Sequence, residues 1–156
     1  MPDSQTPRFS RRAVTGLLIG GSCVAAAYAF SDTAVSVPIT PDEALRRIRG
    51  KSLVLIDIRR PDEWELTGVA TGAAPIDMRA DDFLEQVDRL VAGNKAAPIA
   101  LICARGVRSR RMAAKLKTAG YTGVVDVSEG MLGSAAGIGW IDRGLPISPY
   151  KAGVSK

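Results

Sequence analysis

Three short apolar runs constrain this chain most: residues 53–56 (LVLI), 98–103 (PIALIC) and 124–127 (VVDV). The first two have no polar alternation, so strands built from them must be covered on both faces. A parallel sheet with helices packed on its faces provides that cover. The intervening segments carry helix signals. Thr40 can cap a helix, Pro41 suits the first helical position, and Glu43 closes a capping box; this helix runs to about Arg49 and stops at Gly50. Pro61-Asp62-Glu63-Trp64-Glu65 opens a short helix that ends near Gly68. Residues 80–91 place Phe83, Val87, Leu90 and Val91 on one face and stop near Gly93. Residues 109–119 form a helix ended by Gly120. Residues 129–147 are rich in glycine and read as loop, with a short helical piece near 140–143. Alternating strands and helices predict an α/β domain with a mainly parallel sheet, spanning residues 40–147. Residues 30–39 read as a linker and 148–156 as a C-terminal tail.

The start of the chain reads as an address. Arg8, Arg11 and Arg12 precede an uncharged apolar run over residues 13–30, and Ala27-Tyr28-Ala29 fits a small-x-small cleavage site. The Arg11-Arg12 pair resembles the twin-arginine export signal of bacteria. Residues 1–29 are therefore expected to direct export to a bacterial periplasm. The alternative is an uncleaved anchor facing the periplasm, with membrane contact only through residues 13–30; eighteen residues is near the lower limit for a spanning helix. Cleavage after Ala29 would remove Cys23 and leave Cys103 as the one thiol, with a net charge of +3. An odd cysteine in an exported chain is a candidate reactive thiol.

Composition excludes several chemistries. Among 156 residues there is no histidine, which rules out a His triad, a His metal site and a His general base. Two cysteines cannot build a four-thiolate zinc site or a disulfide scaffold. The mild basic excess argues poorly for nucleic acid, and Arg110, Arg111, Lys115 and Lys117 have no interleaved aromatics for stacking. They read as a solvated basic face.

The chemistry centres on Cys103-Ala104-Arg105-Gly106-Val107-Arg108-Ser109, which joins a buried strand to a helix. Ligands of open α/β sheets bind beyond the carboxyl ends of strands, which puts Cys103 at the mouth of the sheet. Gly106 permits a tight curl that turns successive N–H groups inward as an anion nest. The following helix adds the positive end of its dipole. Both favour a thiolate at that position. Arg105 and Arg108 add positive charge, and the sequence does not say which points inward. A buried core cysteine at a strand end is the alternative reading.

Cys-x-x-Gly-x-Arg-Ser after a buried strand resembles the active loop of the rhodanese sulfurtransferases. Residues 57–65 resemble that family's Asp-x-Arg-x-x-x-Glu-aromatic motif, followed by Gly68 and Gly72-Ala73, and Gly144-Leu145-Pro146 resembles its closing Gly-Leu-Pro. Two departures stand out. Val69-Ala70 replaces a frequent His-Ile, and the usual Gly-Gly-x-x-x-Trp is stretched by a glycine-rich insertion at 133–139. The insertion either borders the active-site mouth or is a neutral surface loop.

The resemblance implies a three-layer rhodanese-like fold with helices flanking a mainly parallel sheet. It implies ping-pong sulfur transfer through a Cys103 persulfide, from thiosulfate or a persulfide donor to a thiol or protein acceptor, with cyanide as an assay acceptor. Ala104, Arg105, Gly106, Val107, Arg108 and Ser109 would bind the sulfur anion. Asp57 and Arg59 would hold the frame through a buried interaction. No metal or organic cofactor is implied. Phosphatases and arsenate reductases of the same fold have one more residue between Cys and Arg; here four residues separate Cys103 from Arg108, and the smaller ring suits a sulfane sulfur. A persulfide carrier or docking module in the cell envelope is the non-enzymatic alternative.

Overall fold

The structure, a computed structural model, describes residues 37–151. Residues 1–29, expected to direct export, and most of the linker lie outside the described residues. Six strands and four helices follow in the order α1 (Pro41–Arg49), β1 (Val54–Asp57), α2 (Pro61–Thr67), β2 (Val69–Ala70), β3 (Ala73–Pro75), α3 (Phe83–Leu90), β4 (Ile99–Ile102), α4 (Val107–Thr118), β5 (Val124–Asp126) and β6 (Ile147–Ser148). The main sheet has the order β3-β1-β4-β5, all parallel. β2 and β6 form a separate antiparallel pair.

The β4 run covers both faces as its unbroken apolar character requires. Ile99, Leu101 and Cys103 join the core beneath α3 and α4, with Phe83, Val87, Met112 and Leu116. Ala100 and Ile102 face the opposite core, with Ala44 and Leu45 of α1 and with Met131 and Trp140. Each alternate residue thus serves a different layer, the period-two rule of a strand. Cys103 follows the last β4 residue on the α4 side.

Several elements differ from expectation. β1 extends to Asp57, which pairs with Pro75 and Ile102; its carboxylate is tolerated there because Arg59 neutralises it. The edge strand β3 and the short pair β2–β6 carry too few residues for a periodic signal. Pro75 is admitted because β3 lies at the sheet edge, where a missing N–H costs no ladder bond. α3 starts at Phe83 rather than Ala80, and Leu90 is 40% exposed while Phe83, Val87 and Val91 are buried. By spacing Leu90 lies beside Phe83 and Val87, but as the last residue of the helix it sits at the margin of the stripe. The helical piece near 140–143 is a hydrogen-bonded turn, with Arg143 N–H on the Gly139 carbonyl (3.1 Å) and Gly144 N–H on that of Ile141 (2.9 Å). Ser148 pairs with Val69 in β6, so the ordered domain runs past residue 147, and the Tyr150 ring packs at a tilt against Trp64, 5.0 Å between centroids.

Among the described residues, no helix is long and apolar enough to cross a membrane.

Candidate active site

α4 begins at Val107, two residues earlier than expected, directly after Gly106. The shift matters because the first N–H groups of a helix have no partner within it. Here those groups belong to the loop that follows Cys103. Among the described residues, no carbonyl accepts from the backbone N–H groups of Arg105, Gly106, Val107, Arg108 or Ser109. Unclaimed donors at a helix N-terminus can serve an anion.

Two glycines make the curl possible. Gly106 has φ +76°, the left-handed region, and a Cβ there would collide with the Ser128 carbonyl. Gly130, at φ +68°, lies against the Cys103 and Ala104 carbonyls, where a Cβ would sit 2.6 Å from the Ala104 oxygen. Beside it, Met131 N–H donates to the Cys103 carbonyl (2.8 Å) and Leu132 N–H to that of Ala104 (2.9 Å). The segment after β5 therefore ties the loop by its oxygens and leaves its N–H groups free.

Cys103 is a free thiol with 1% exposure. The Ser109 hydroxyl donates toward its Sγ at 3.3 Å and lies 3.2 Å from the Gly106 carbonyl oxygen. Of the two arginines, Arg108 is the one near the sulfur. Its Nη1 and Nη2 donate to Glu63 Oε2 (2.8 Å) and Oε1 (2.6 Å). That bidentate pairing draws the Glu63 carboxyl down to about 2, with Arg60 assisting and burial opposing. Arg108 is in turn held above its ordinary range, first by Glu63 and to a smaller extent by Cys103. Arg105 is exposed and reaches the Gly133 carbonyl at 3.4 Å instead. Val107 is also exposed, Ala104 half-buried and Gly106 buried.

Asp57 and Arg59 form a buried ion pair at the end of β1. Arg59 Nε lies 2.9 and 3.0 Å from the two Asp57 oxygens and Nη2 lies 2.8 Å from Oδ2. The remaining guanidinium donors reach the Thr67 hydroxyl (2.8 Å) and the Gly68 carbonyl (2.7 Å). The pair thereby fastens the end of β1 to the end of α2, which carries Glu63.

The insertion at 133–139 folds as a tight hairpin, with Ser134 and Gly137 exchanging backbone hydrogen bonds of 3.0 and 3.1 Å. Ser134 Oγ anchors it to the Ser128 carbonyl at 2.9 Å. Residues 134–136 and α4 enclose a groove of about 510 Å³ that borders Arg105, Gly106 and Val107 but whose lining does not include Cys103.

Glu63 and Gly130 are the contributors that sequence reading did not assign to the site. Glu63 is the acid of the motif beginning at Asp57, a usable signal, but its partner lies 45 residues away.

A parallel sheet whose third strand in chain order, β4, leads into a cysteine loop at the start of a helix frames the site. The chain belongs to the Rhodanese-like domain family, whose model matches residues 40–136. It is similar to a Rhodanese-like domain protein from Staphylococcus aureus, with 30% identity, a TM-score of 0.52 and coverage of 71% of this chain and 97% of that one. A thiosulfate sulfurtransferase from Pseudomonas aeruginosa shares the fold at 21% identity and TM-score 0.58, over 74% of this chain and 21% of that one. Among curated proteins, a tRNA uridine(34) hydroxylase from Legionella pneumophila is 27% identical over 94 residues, 60% of this chain. The chain spans 37% of the length of that relative.

Proposed function

We propose that this protein is a sulfurtransferase that moves a sulfane sulfur from thiosulfate or a persulfide to a thiophilic acceptor. The observation that carries the reading is Cys103 at the floor of a loop whose N–H groups are unclaimed by described carbonyls. The Cys103 thiolate attacks the outer sulfur of thiosulfate. A new S–S bond forms, the old one breaks, and sulfite leaves with the bonding pair. The loop N–H groups and Arg108 offset the charge on the incoming and leaving anions. A thiol or cyanide then takes the outer sulfur of the Cys103 persulfide, and the thiolate returns. A thiol so deeply set favours a donor with a slim terminal sulfur over a bulky phosphoester. The spacing of four residues between Cys103 and Arg108 supports the same choice.

Arg11-Arg12, the uncharged run behind them and Ala27-Tyr28-Ala29 support action in the periplasm after export. The mass of the chain recovered from a periplasmic extract tests removal of residues 1–29.

Steady-state kinetics with thiosulfate and cyanide test the reaction. Thiocyanate release with parallel-line, ping-pong patterns is expected, and none with Cys103→Ser. Absence of turnover with thiosulfate and with small persulfides would overturn the enzymatic reading and leave the carrier.

A further inference from the structure

Most arginines of this domain hold a carboxylate, and those around one helix do not. Arg59 pairs with Asp57, Arg79 with Asp77, Arg89 with Asp82 and Arg143 with Asp42. α4 carries Arg108, Arg110, Arg111, Lys115 and Lys117 within 12 residues and no acid. Arg108 takes Glu63. Arg105, Arg110, Arg111 and Lys115 have no carboxylate at ion-pair distance among the described residues. A cation in the first turn of a helix faces the positive end of its dipole and costs stability there. Arg110, the fourth residue of α4, bears that cost with no paired acid to offset it. Its charge points to an anion outside the fold.

Two of these unpaired cations line the groove beside the active loop. Arg110, Ala113, Ala114 and Lys117 recur at the spacing of one helix face and form its α4 wall. Ala135 and Ala136 of the inserted hairpin face them, and Arg105 and Val107 border the groove from the active loop. Asp126 also lines it but is only 6% exposed, so the accessible charge is that of exposed Arg105 and Arg110 and half-buried Lys117. The alanines carry no long side chain and leave room for a backbone to lie along them. Arg110 and Lys117 are two turns apart, about 10 Å along the axis, which about three residues of extended chain cover. Arg111 and Lys115 are exposed outside the groove on the same helix. The basic surface therefore continues beyond what a small thiol would cover.

We propose that the groove between α4 and the 133–139 insertion docks an acidic, extended segment of a protein that accepts sulfur from Cys103. Carboxylates of that segment pair with Arg105 and Arg110. A segment bound there holds the rest of the acceptor beside the loop that carries Cys103. The acceptor thiolate attacks the outer sulfur of the Cys103 persulfide. An S–S bond forms on the acceptor, the bond to Cys103 breaks, and Cys103 leaves as the thiolate. This last step rests on the sulfur-transfer reading; the docking does not.

The test measures fluorescence anisotropy of labelled peptides in which serine replaces the acceptor cysteine, so no sulfur transfer enters it. Three peptides of one length carry glutamates, glutamines or lysines around that serine. Full-length protein should bind the glutamate peptide at least about tenfold more tightly than the glutamine peptide, and the preference should fall as salt is raised. Arg110→Glu reverses a charge and Ala135→Trp fills the groove; each should weaken binding by about fivefold or more. Arg49 is an exposed cation of α1 that does not line the groove. Arg49→Glu makes the same change in net charge and should stay within about twofold. Equal binding of the glutamate and glutamine peptides overturns the proposal. So does equal weakening by Arg110→Glu and Arg49→Glu, or an Ala135→Trp that binds like wild type. Tighter binding of a single-stranded oligonucleotide than of the glutamate peptide assigns the face to nucleic acid and overturns it. Binding of free glutathione with none of the peptides assigns the groove to a small thiol and overturns it as well. If Arg110→Glu does not fold, Arg110→Gln removes the charge and is read the same way. A wild type that binds the glutamate peptide but never forms a Cys103 persulfide overturns the sulfur-transfer reading alone.

Discussion

Arg108 and Glu63 meet through two parallel hydrogen bonds of 2.8 and 2.6 Å and join the active loop to the second helix. The pairing fixes the guanidinium plane beside the sulfur. It also leaves Arg108 half-exposed at the loop, where an incoming anion can share it.

Glu63→Gln should keep the shape and lose the charge-assisted bonds. The depressed carboxyl, near 2 in the folded state, stabilises the protein fully above the ordinary carboxylate range. That contribution is lost as pH falls from about 4.5 toward 2. The partly exposed pair is worth about 1–2 kcal/mol after solvent screening. Urea unfolding of wild type and variant should therefore differ at neutral pH and converge near pH 2. An equal difference at both pH values would contradict the assignment.

The two loop arginines should separate cleanly. Arg108→Ala should slow persulfide formation by about tenfold or more, the scale for losing one preorganised charge-stabilising group. Arg105→Ala, which loses only a long bond to the Gly133 carbonyl, should stay within about threefold. Arg108→Lys should recover little, since an ammonium does not reproduce the bidentate fork on Glu63. Single-turnover rates with thiosulfate read all three.

Gly106→Ala places a Cβ against the Ser128 carbonyl at a left-handed φ. The expected cost is about 1–3 kcal/mol of stability, from backbone strain of that kind. Any loop that relaxes to avoid the collision should also lose persulfide formation. Thermal denaturation with a parallel activity assay checks both; an unchanged melting temperature would contradict the geometry.

Arg59→Met breaks a fully buried pair and strands the Asp57 carboxylate. Such a change typically costs about 3–5 kcal/mol. Asp57→Asn/Arg59→Met together should be milder than Arg59→Met alone, because no uncompensated charge remains. Chemical denaturation of the set decides whether the pair is the frame of the site.

The parts of this fold that were legible in sequence are those with long local signals. β1 and β4 announce themselves by uninterrupted apolar runs, and α1 by Thr40, Pro41 and Glu43, with the Thr40 hydroxyl accepting from Glu43 N–H at 3.2 Å. β2, β3 and β6 have two or three residues each, and their pairing is decided by distant segments. The start of α4 is hidden in sequence because Val107 and Arg108 carry no N-cap signature; the left-handed turn at Gly106 starts the helix. The cysteine loop was readable as a motif, yet the choice between Arg105 and Arg108 depended on Glu63, 45 residues away from Arg108 in sequence.

The most direct measurement is the intact mass of the full-length protein after thiosulfate and then cyanide, with Cys103→Ser alongside. The expected result is a gain of one sulfur on the wild type only, mapped to the Cys103 peptide and lost as thiocyanate when cyanide is added. A wild-type mass unchanged by thiosulfate and by persulfide donors, or a gain that persists in Cys103→Ser, would contradict sulfur transfer through this loop.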